Sequence, residues 1–281
     1  MKKLFFSLFI IFVSLHLFAQ KKEKIKGNHE VVTKVYTLQD FQAIEAGEDF
    51  KIQLKQAVDE EALELRADEN LHEVLKWEVN EGVLKIYTTK KIIRRKAFDI
   101  TIFTDKDLHA IQLHENARME MEDKLKFKKI TIEMDDYAKA ELKMMISDTL
   151  LVDLKGKSKL EVDMEVPVSF LRLKDGSEIE GVLIGENLVA KGENTCDFNL
   201  GGNMNEVEAH MTDKSEFKAI RMTVKNQAVF YLQKRSNASI KGKSAEINMS
   251  LSGKSHLHLS GEFNNYNLKK FEGESALTRE K

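Results

Sequence analysis

From Ile111 to Leu277 the chain repeats one eleven-residue arrangement nine times: apolar, any, apolar, three polar turn residues, a small residue, any, apolar, any, apolar. The copies open at Ile111, Ile132, Val152, Leu171, Leu188, Ala209, Phe230, Met249 and, less perfectly, Lys269, so successive steps are 21, 20, 19, 17, 21, 21, 19 and 20 residues. Alternation of period two marks strands, and a repeat near 20 residues marks a stacked array. The pattern therefore predicts an all-β parallel β-helix, a β-solenoid of about nine coils. The chirality of parallel crossovers makes it right-handed. A propeller or stacked sandwich fits less well, because blades need about 40 residues and four strands per repeat.

In a parallel solenoid equivalent positions stack into columns, about 4.8 Å apart. The third column reads Leu113, Met134, Leu154, Leu173, Ala190, Met211, Leu232, Leu251 and Phe271, and the ninth reads Met119, Ala140, Leu160, Ile179, Cys196, Phe217, Ala238, Leu257 and Leu277. Both face inward, so Cys196 reads as a small buried hydrophobe. The turn column holds Gly156, Gly192, Gly253 and Gly273 with Asp136, Asp175 and Asp213, residues that tolerate turn dihedrals. Two positions later come Ala117, Ala138, Ser158, Ser177, Asn194, Ser215, Ser236, Ser255 and Ser275, whose hydroxyls can bond at a tight corner. One column explains all these serines and no histidine recurs beside them, which argues against a nucleophilic site.

The tenth column is acidic in five consecutive coils: Glu120, Glu141, Glu161, Glu180 and Asp197. Arg118, Lys139 and Lys159 lie two residues earlier on the same face, followed by Glu178 and Thr195. The first three coils thus compensate their charge, and Glu178, Glu180 and Asp197 are expected to form an acidic patch. Whether it is only a solvated face or binds a cation such as calcium is open, since more than three oxygen ligands would be required. His256 and His258 share an outward strand face, but two ligands alone do not make a zinc site. The pattern supplies no catalytic residue, no cofactor-binding residue and no metal site.

Before the array, strands are expected at Val31 to Tyr36, Phe50 to Leu54, Leu63 to Leu65 and Phe98 to Ile102. Trp77 to Val79 and Leu84 to Ile86 read as a hairpin about a three-residue turn, Asn80-Glu81-Gly82, with Trp77 in the core. Asn70 to Leu75 reads as one helical turn. Lys90 to Lys96 holds five basic residues and reads as a solvated loop that could attract an anionic polysaccharide or lipid head group. The irregular third segment of each coil absorbs the variation in period. Pro167, the only proline, lies in one of these segments because it cannot serve a central ladder.

Residues 1–19 read as a signal peptide: Lys2 and Lys3, an apolar run from Leu4 to Phe18, and the small residue Ala19, with Gln20 opening the mature chain. Residues 20–40 then form a polar leader and first strand, 41–106 an N-terminal β region that caps the array, and 107–281 the array itself. Fifteen apolar residues fall short of the roughly 20 that span a bilayer, so no transmembrane segment is expected after cleavage. Cleavage removes two of 44 basic residues and none of 46 acidic, leaving 42 against 46, a net charge of −4 with His neutral. That balance argues against nucleic acid as a partner. A single cysteine rules out an intramolecular disulfide framework.

Phe41-Gln42-Ala43-Ile44, Asp49-x-x-Ile52-x-Leu54, Asp68-x-Asn70-Leu71, Gly82-x-Leu84-x-Ile86 and Ile100-x-Ile102 through Leu108-x-x-Ile111 resemble the head GIN domain family of putative auto-transporter adhesins, over roughly Phe41 to Leu259. The resemblance implies a secreted right-handed β-helix of the Gram-negative envelope with no established activity. Members commonly carry glycine in the first turn of the array, where this chain has His114-Glu115-Asn116-Ala117. The expected function is that of an exported, non-enzymatic surface or adhesion-type binding protein of the periplasm, outer-membrane surface or medium. Its ligand is an unidentified envelope or extracellular molecule, a glycan being one candidate. The alternative is a polysaccharide-active β-helix enzyme or a carbohydrate-binding protein, which would show paired carboxylates in a cleft.

Overall fold

The structure, a computed structural model, describes residues 22–280. The expected signal peptide lies outside the described residues. The N-terminal region forms β1 (Lys24–Lys26), β2 (Val31–Thr37), β3 (Ala43–Ala46), β4 (Lys51–Gln56), β5 (Ala62–Asp68), β6 (Leu75–Asn80), β7 (Val83–Thr88), β8 (Lys91–Arg94) and β9 (Phe98–Thr104). Then come β10 (Ala110–Leu113), β11 (Arg118–Glu120), β12 (Leu125–Met134), β13 (Lys139–Leu154), β14 (Lys159–Glu165) and β15 (Val168–Asp175). The last six are β16 (Glu178–Asn194), β17 (Asp197–Met211), β18 (Glu216–Leu232), β19 (Asn237–Leu251), β20 (His256–Phe271) and β21 (Ala276–Arg279).

From β10 onward the pairing is parallel between successive coils, with Ile111, Ile132, Val152 and Leu171 in one column and Met119, Ala140, Leu160 and Ile179 in another. The array is thus a β-solenoid of about nine turns, and its inward columns form one continuous buried core. The third segments are not irregular loops. Strands such as β13 and β16 run through them, and the spacing differences are absorbed by bulges, as between Phe127 and Lys129 or Ala219 and Thr223.

The fifth coil departs from the expected register. Leu171 pairs with Ala190 and Leu173 with Gly192, while Ile179 pairs with Phe198 and Glu180 with Asn199. The fifth copy therefore opens at Ala190, not Leu188, and the steps on either side become 190 − 171 = 19 and 209 − 190 = 19. Its third position is Gly192, its turn residue Asn194, its ninth position the fully buried Phe198. Gly192 and Phe198 are a volume exchange: a Cβ on Gly192 would lie 2.7 Å from Met211 Sδ and 3.1 Å from the Phe198 ring. Phe198, Phe217 and Phe230 then pack in sequence, with ring centroids 5.8 and 6.2 Å apart.

Cys196 consequently belongs to the small-residue corner column. There Ser158, Ser177, Ser215 and Ser236 donate to the carbonyl three residues earlier, at 2.7 to 2.9 Å, with a carbonyl of the preceding coil also within 3.3 Å. Burial pushes the Cys196 thiol up to about 12, so it stays protonated. Cys196→Ser is expected to cost less than about 1 kcal/mol, because the hydroxyl inherits this corner geometry; a buried hydroxyl without partners would cost roughly 1 to 3 kcal/mol. Urea melts of the two proteins check it, and a large loss would return Cys196 to the apolar column. Every corner turn residue from Glu115 to Gly273 adopts the left-handed region, including Glu115 at φ 57°. The Glu115 side chain also accepts the Glu48 backbone N–H.

At the N-terminal end chain order and stacking order differ. β3 and β4 pair in parallel with β10 and β11 on one side and with β7 and β9 on the other. Residues 83–104 therefore lie beneath residues 43–56. Antiparallel β6 on β7, β5 on β9 and β2 on β5 close this end. The hairpin turn has two residues, not three: Asn80 pairs with Val83, and Glu81 and Gly82 take φ 51° and 78°. The helical turn falls at Glu69–Leu71, overlapping only the start of the expected span, because Leu75 already begins β6. Trp77 packs on the core edge against Tyr36, centroids 4.8 Å apart.

The motif Asp68-x-Asn70 clamps the leader to this cap. The buried Asp68 carboxylate accepts the backbone N–H groups of His29, Lys96 and Ala97 at 3.0 to 3.2 Å. Asn70 accepts the Asn28 N–H and donates to the Lys26 carbonyl. Gly27 leaves the space that Asp68 fills, since a Cβ there would sit 1.9 Å from Asp68 Oδ2. The basic run is accordingly not a loop: Lys91–Arg94 is β8, paired in parallel with β1, and Lys90 binds Glu23 at 2.8 Å.

Candidate functional site

The outward face of the second strand carries the predicted acidic stripe only as far as Glu180. Glu120, Glu141, Glu161 and Glu180 stack in register, but the next residue in that column is Asn199. Asp197 stacks instead on Glu178, in the column of Arg118, Lys139 and Lys159. Its charge is met by Lys218 at 2.6 Å, and Glu178 is met by Lys159 at 2.5 Å. Two of the three residues expected in the uncompensated patch, Glu178 and Asp197, are therefore paired across coils, and within its own strand Glu141 is met by Lys143 at 3.4 Å. Among the described residues no three His, Cys, Asp or Glu side chains converge so as to hold a metal ion. His256 and His258 are half-buried and both bond the Thr278 hydroxyl, at 2.9 and 3.0 Å, rather than projecting freely.

A concave site lies at a different corner, where the chain turns from the second strand of one coil toward the first strand of the next. Five successive passes contribute: Asp105 and Asp107, Lys126 to Lys128, Met145 to Ser147, Glu165 to Pro167, and Ile184 to Glu186. They enclose an open groove of about 690 Å³. Lys126, Met145, Glu165 and Ile184 are in register, so the groove runs along the solenoid axis for roughly 14 Å, three steps of about 4.8 Å. Its floor is the buried row Phe127, Ile146 and Val166; Met145 and Ile184, 40% and 41% exposed, form the lip.

Local chemistry explains the shape. Pro167 has no N–H for the ladder, and its carbonyl accepts the N–H groups of Glu186 and Asn187 instead. Gly185 lets the coils approach, since a Cβ there would lie 1.9 Å from the Val166 carbonyl oxygen. Beside the groove Phe170 and Val182 are also exposed, so apolar surface continues around the corner.

Every carboxylate at the rim is already engaged. Asp107 accepts the Lys128 backbone N–H at 2.7 Å, Glu165 binds Lys124 at 3.1 Å, and Glu186 accepts a hydrogen bond from the Asn205 amide. The Asp105 carboxylate is met by Lys106 at 3.4 Å, and its backbone N–H donates to Glu61. Burial raises the Glu61 carboxyl above the usual range, while its side-chain bond and then Lys106 hold Asp105 below it. Glu61 is itself buried beneath the surface, so only one member of that pair reaches the groove. None of these groove residues stood out in the sequence except Pro167, because the walls come from residue types that do not repeat.

No curated protein sequence matches the chain. Among solved structures, a putative adhesin from Parabacteroides distasonis is similar at 15% identity and TM-score 0.70, covering 91% of this chain and 100% of its own. A putative adhesin from Parabacteroides merdae is similar at 18% identity and TM-score 0.69, covering 92% and 100%. A third, titled a putative lipid binding protein from Parabacteroides distasonis, is similar at 18% identity and TM-score 0.60, also covering 92% and 100%. At such identities the likeness is one of fold. The family model described as putative auto-transporter adhesin, head GIN domain, matches residues 40–231, and the chain belongs to that family.

Proposed function

We propose that this chain is an exported, non-enzymatic, adhesion-type binding protein of the bacterial cell envelope, and that the corner groove takes the apolar part of an amphipathic ligand. The observation that supports this is the groove's composition: an apolar floor and lip, with rim carboxylates that are each engaged in holding the fold. Pockets of about 300 to 1,000 Å³ with mostly apolar linings and a few polar groups are the usual form of small-ligand sites. The family name and the adhesin names of the two structural neighbours accord with a binding role. The expected signal peptide supports export to the periplasm, outer surface or medium.

The alternative, a polysaccharide-active enzyme, needs a carboxyl pair free to act as acid and base or nucleophile across one cleft. A raised and a lowered carboxyl do occur together in Glu61 and Asp105, but Glu61 faces inward. A glycan-binding site generally presents exposed aromatic faces, whereas the one aromatic in this groove, Phe127, is buried. Titration with the uncharged fluorophore N-phenyl-1-naphthylamine, displaced by a twelve-carbon single-chain amphiphile, tests the proposal. Saturable binding is expected, weakened at least about tenfold, roughly 1.4 kcal/mol, by Ile184→Glu at the exposed lip. Equal binding by wild type and variant would remove the groove from the account.

A further inference from the structure

Two basic segments far apart in the chain are brought onto one face. β1 and β8 form a two-stranded parallel sheet of their own, in which Lys24 pairs with Lys91, Ile25 with Ile92 and Lys26 with Arg94. Ile25 and Ile92 are partly buried against the core, so Lys24, Lys26, Lys91 and Arg94 point the other way and are exposed. The register shifts between Ile25 and Lys26, which leaves Ile93 as an extra residue beside Arg94, 46% exposed. Like charges opposite each other across two strands repel. None of these four cations is paired with a carboxylate among the described residues. Of the carboxylates that share a cleft with Lys91, Glu48 is taken by Lys22 at 2.7 Å, Glu115 accepts the Glu48 N–H, and Asp49 lies beyond ion-pair distance. The strands are held together from their backbones and from below. Gly27 N–H donates to the Arg94 carbonyl and Lys91 N–H to the Glu23 carbonyl, both at 2.8 Å. Asp68 grips the segment after each strand, at His29 and at Lys96 and Ala97. A buried carboxylate thus holds side by side two strands whose outward charges repel, so the opposite charge must reach that face from outside the chain.

We propose that the outward face of the β1–β8 ribbon docks on a bilayer surface of anionic phospholipid, the four cations meeting phosphate head groups and Ile93 entering the boundary between head groups and acyl chains. Each Lys or Arg near such a surface adds about fivefold in affinity, so four on one small face support reversible docking. Ile93 selects lipid over a soluble polyanion: an exposed apolar side chain among cations gains burial at a membrane interface, and a sulfated or phosphorylated glycan offers it none. Docking also supplies the counter-charge that the paired strands lack. Anionic lipid therefore stabilises the ribbon as well as binding it. This inference goes beyond the binding role proposed above and is independent of what the groove takes.

The test is flotation of residues 20–281 with vesicles of phosphatidylcholine, alone or mixed equally with phosphatidylglycerol, with circular dichroism melts confirming that each variant folds. Binding to the mixed vesicles only is expected, falling as salt rises. Lys91→Gln with Arg94→Gln should weaken it at least about tenfold, yet melt no lower than wild type, because both like-charge pairs are gone. Ile93→Ser should weaken it at least about threefold. The charge variant should titrate the groove fluorophore as wild type does, so a failure here is distinct from a failure of the groove reading. No binding to the mixed vesicles, equal binding by the charge variant, or an Ile93→Ser protein that binds as wild type would each overturn the proposal. Tighter retention on soluble dextran sulfate than on the vesicles would overturn it in favour of a polyanionic glycan.

Discussion

Leu160→Asp is expected to unfold the solenoid, while Lys159→Asp, one residue away, leaves it standing. Leu160 is buried between Ala140 and Ile179 in the ninth column. Its replacement forfeits about 1.5 to 3 kcal/mol of burial and places a charge in the core, which costs several kcal/mol more without a partner. A domain holds only about 5 to 15 kcal/mol in all. Because each coil is stabilised through its neighbours, a break in an interior coil also uncovers the coils on either side. Lys159 is half exposed and loses only its surface contact with Glu178, worth about 1 kcal/mol or less. Urea melts of the two variants measure the difference, and equal midpoints would contradict the inward assignment of the column.

Asp68→Ala should be the next most damaging change, costing about 2 to 5 kcal/mol by leaving three backbone donors without their acceptor, at roughly 1 to 3 kcal/mol for each one that stays buried. The pH dependence follows the same contacts. Burial by itself raises the Asp68 carboxyl, but the N–H groups of Ala97, Lys96 and His29 outweigh it and hold the group below the usual aspartate range. A carboxylate lowered on folding contributes stability that is full above its unfolded pKa, near 3.9, and is lost as pH falls through the lower folded value. Wild type is therefore expected to lose stability below about pH 4 more steeply than Asp68→Ala, in which this contribution is already gone. Parallel stability curves for the two proteins between about pH 5 and pH 2 would contradict the clamp.

What the sequence reveals depends on whether a position repeats. The inward columns are legible because strand alternation confines Leu113, Met134 and Leu154, or Met119, Ala140 and Leu160, to one face in successive coils. The fifth coil escapes the pattern because Gly192 and Phe198 exchange volume across the core, so an apolar template settles on Ala190 and Cys196 two residues away. That slip also misplaced Asp197 and, with it, the supposed acidic patch. The stacking at the N-terminal end is not legible in chain order, since residues 43–56 lie between later segments. The basic run Lys90 to Lys96 conceals a strand because Ile92 and Ile93 provide too short an apolar signal. The groove is hidden for a further reason: its floor combines Phe127, Ile146 and Val166 from three coils, and its depth depends on backbone features at Pro167 and Gly185 rather than on any recurring side chain.

Cosedimentation of residues 20–281 with isolated Gram-negative envelopes, read together with the release of reducing ends from envelope polysaccharide, separates a binding protein from an enzyme. Saturable retention on envelopes, weakened by Ile184→Glu, with no reducing ends released, is the expected result. Polysaccharide cleavage by the wild-type protein, or a wild type that stays in the supernatant, would contradict it.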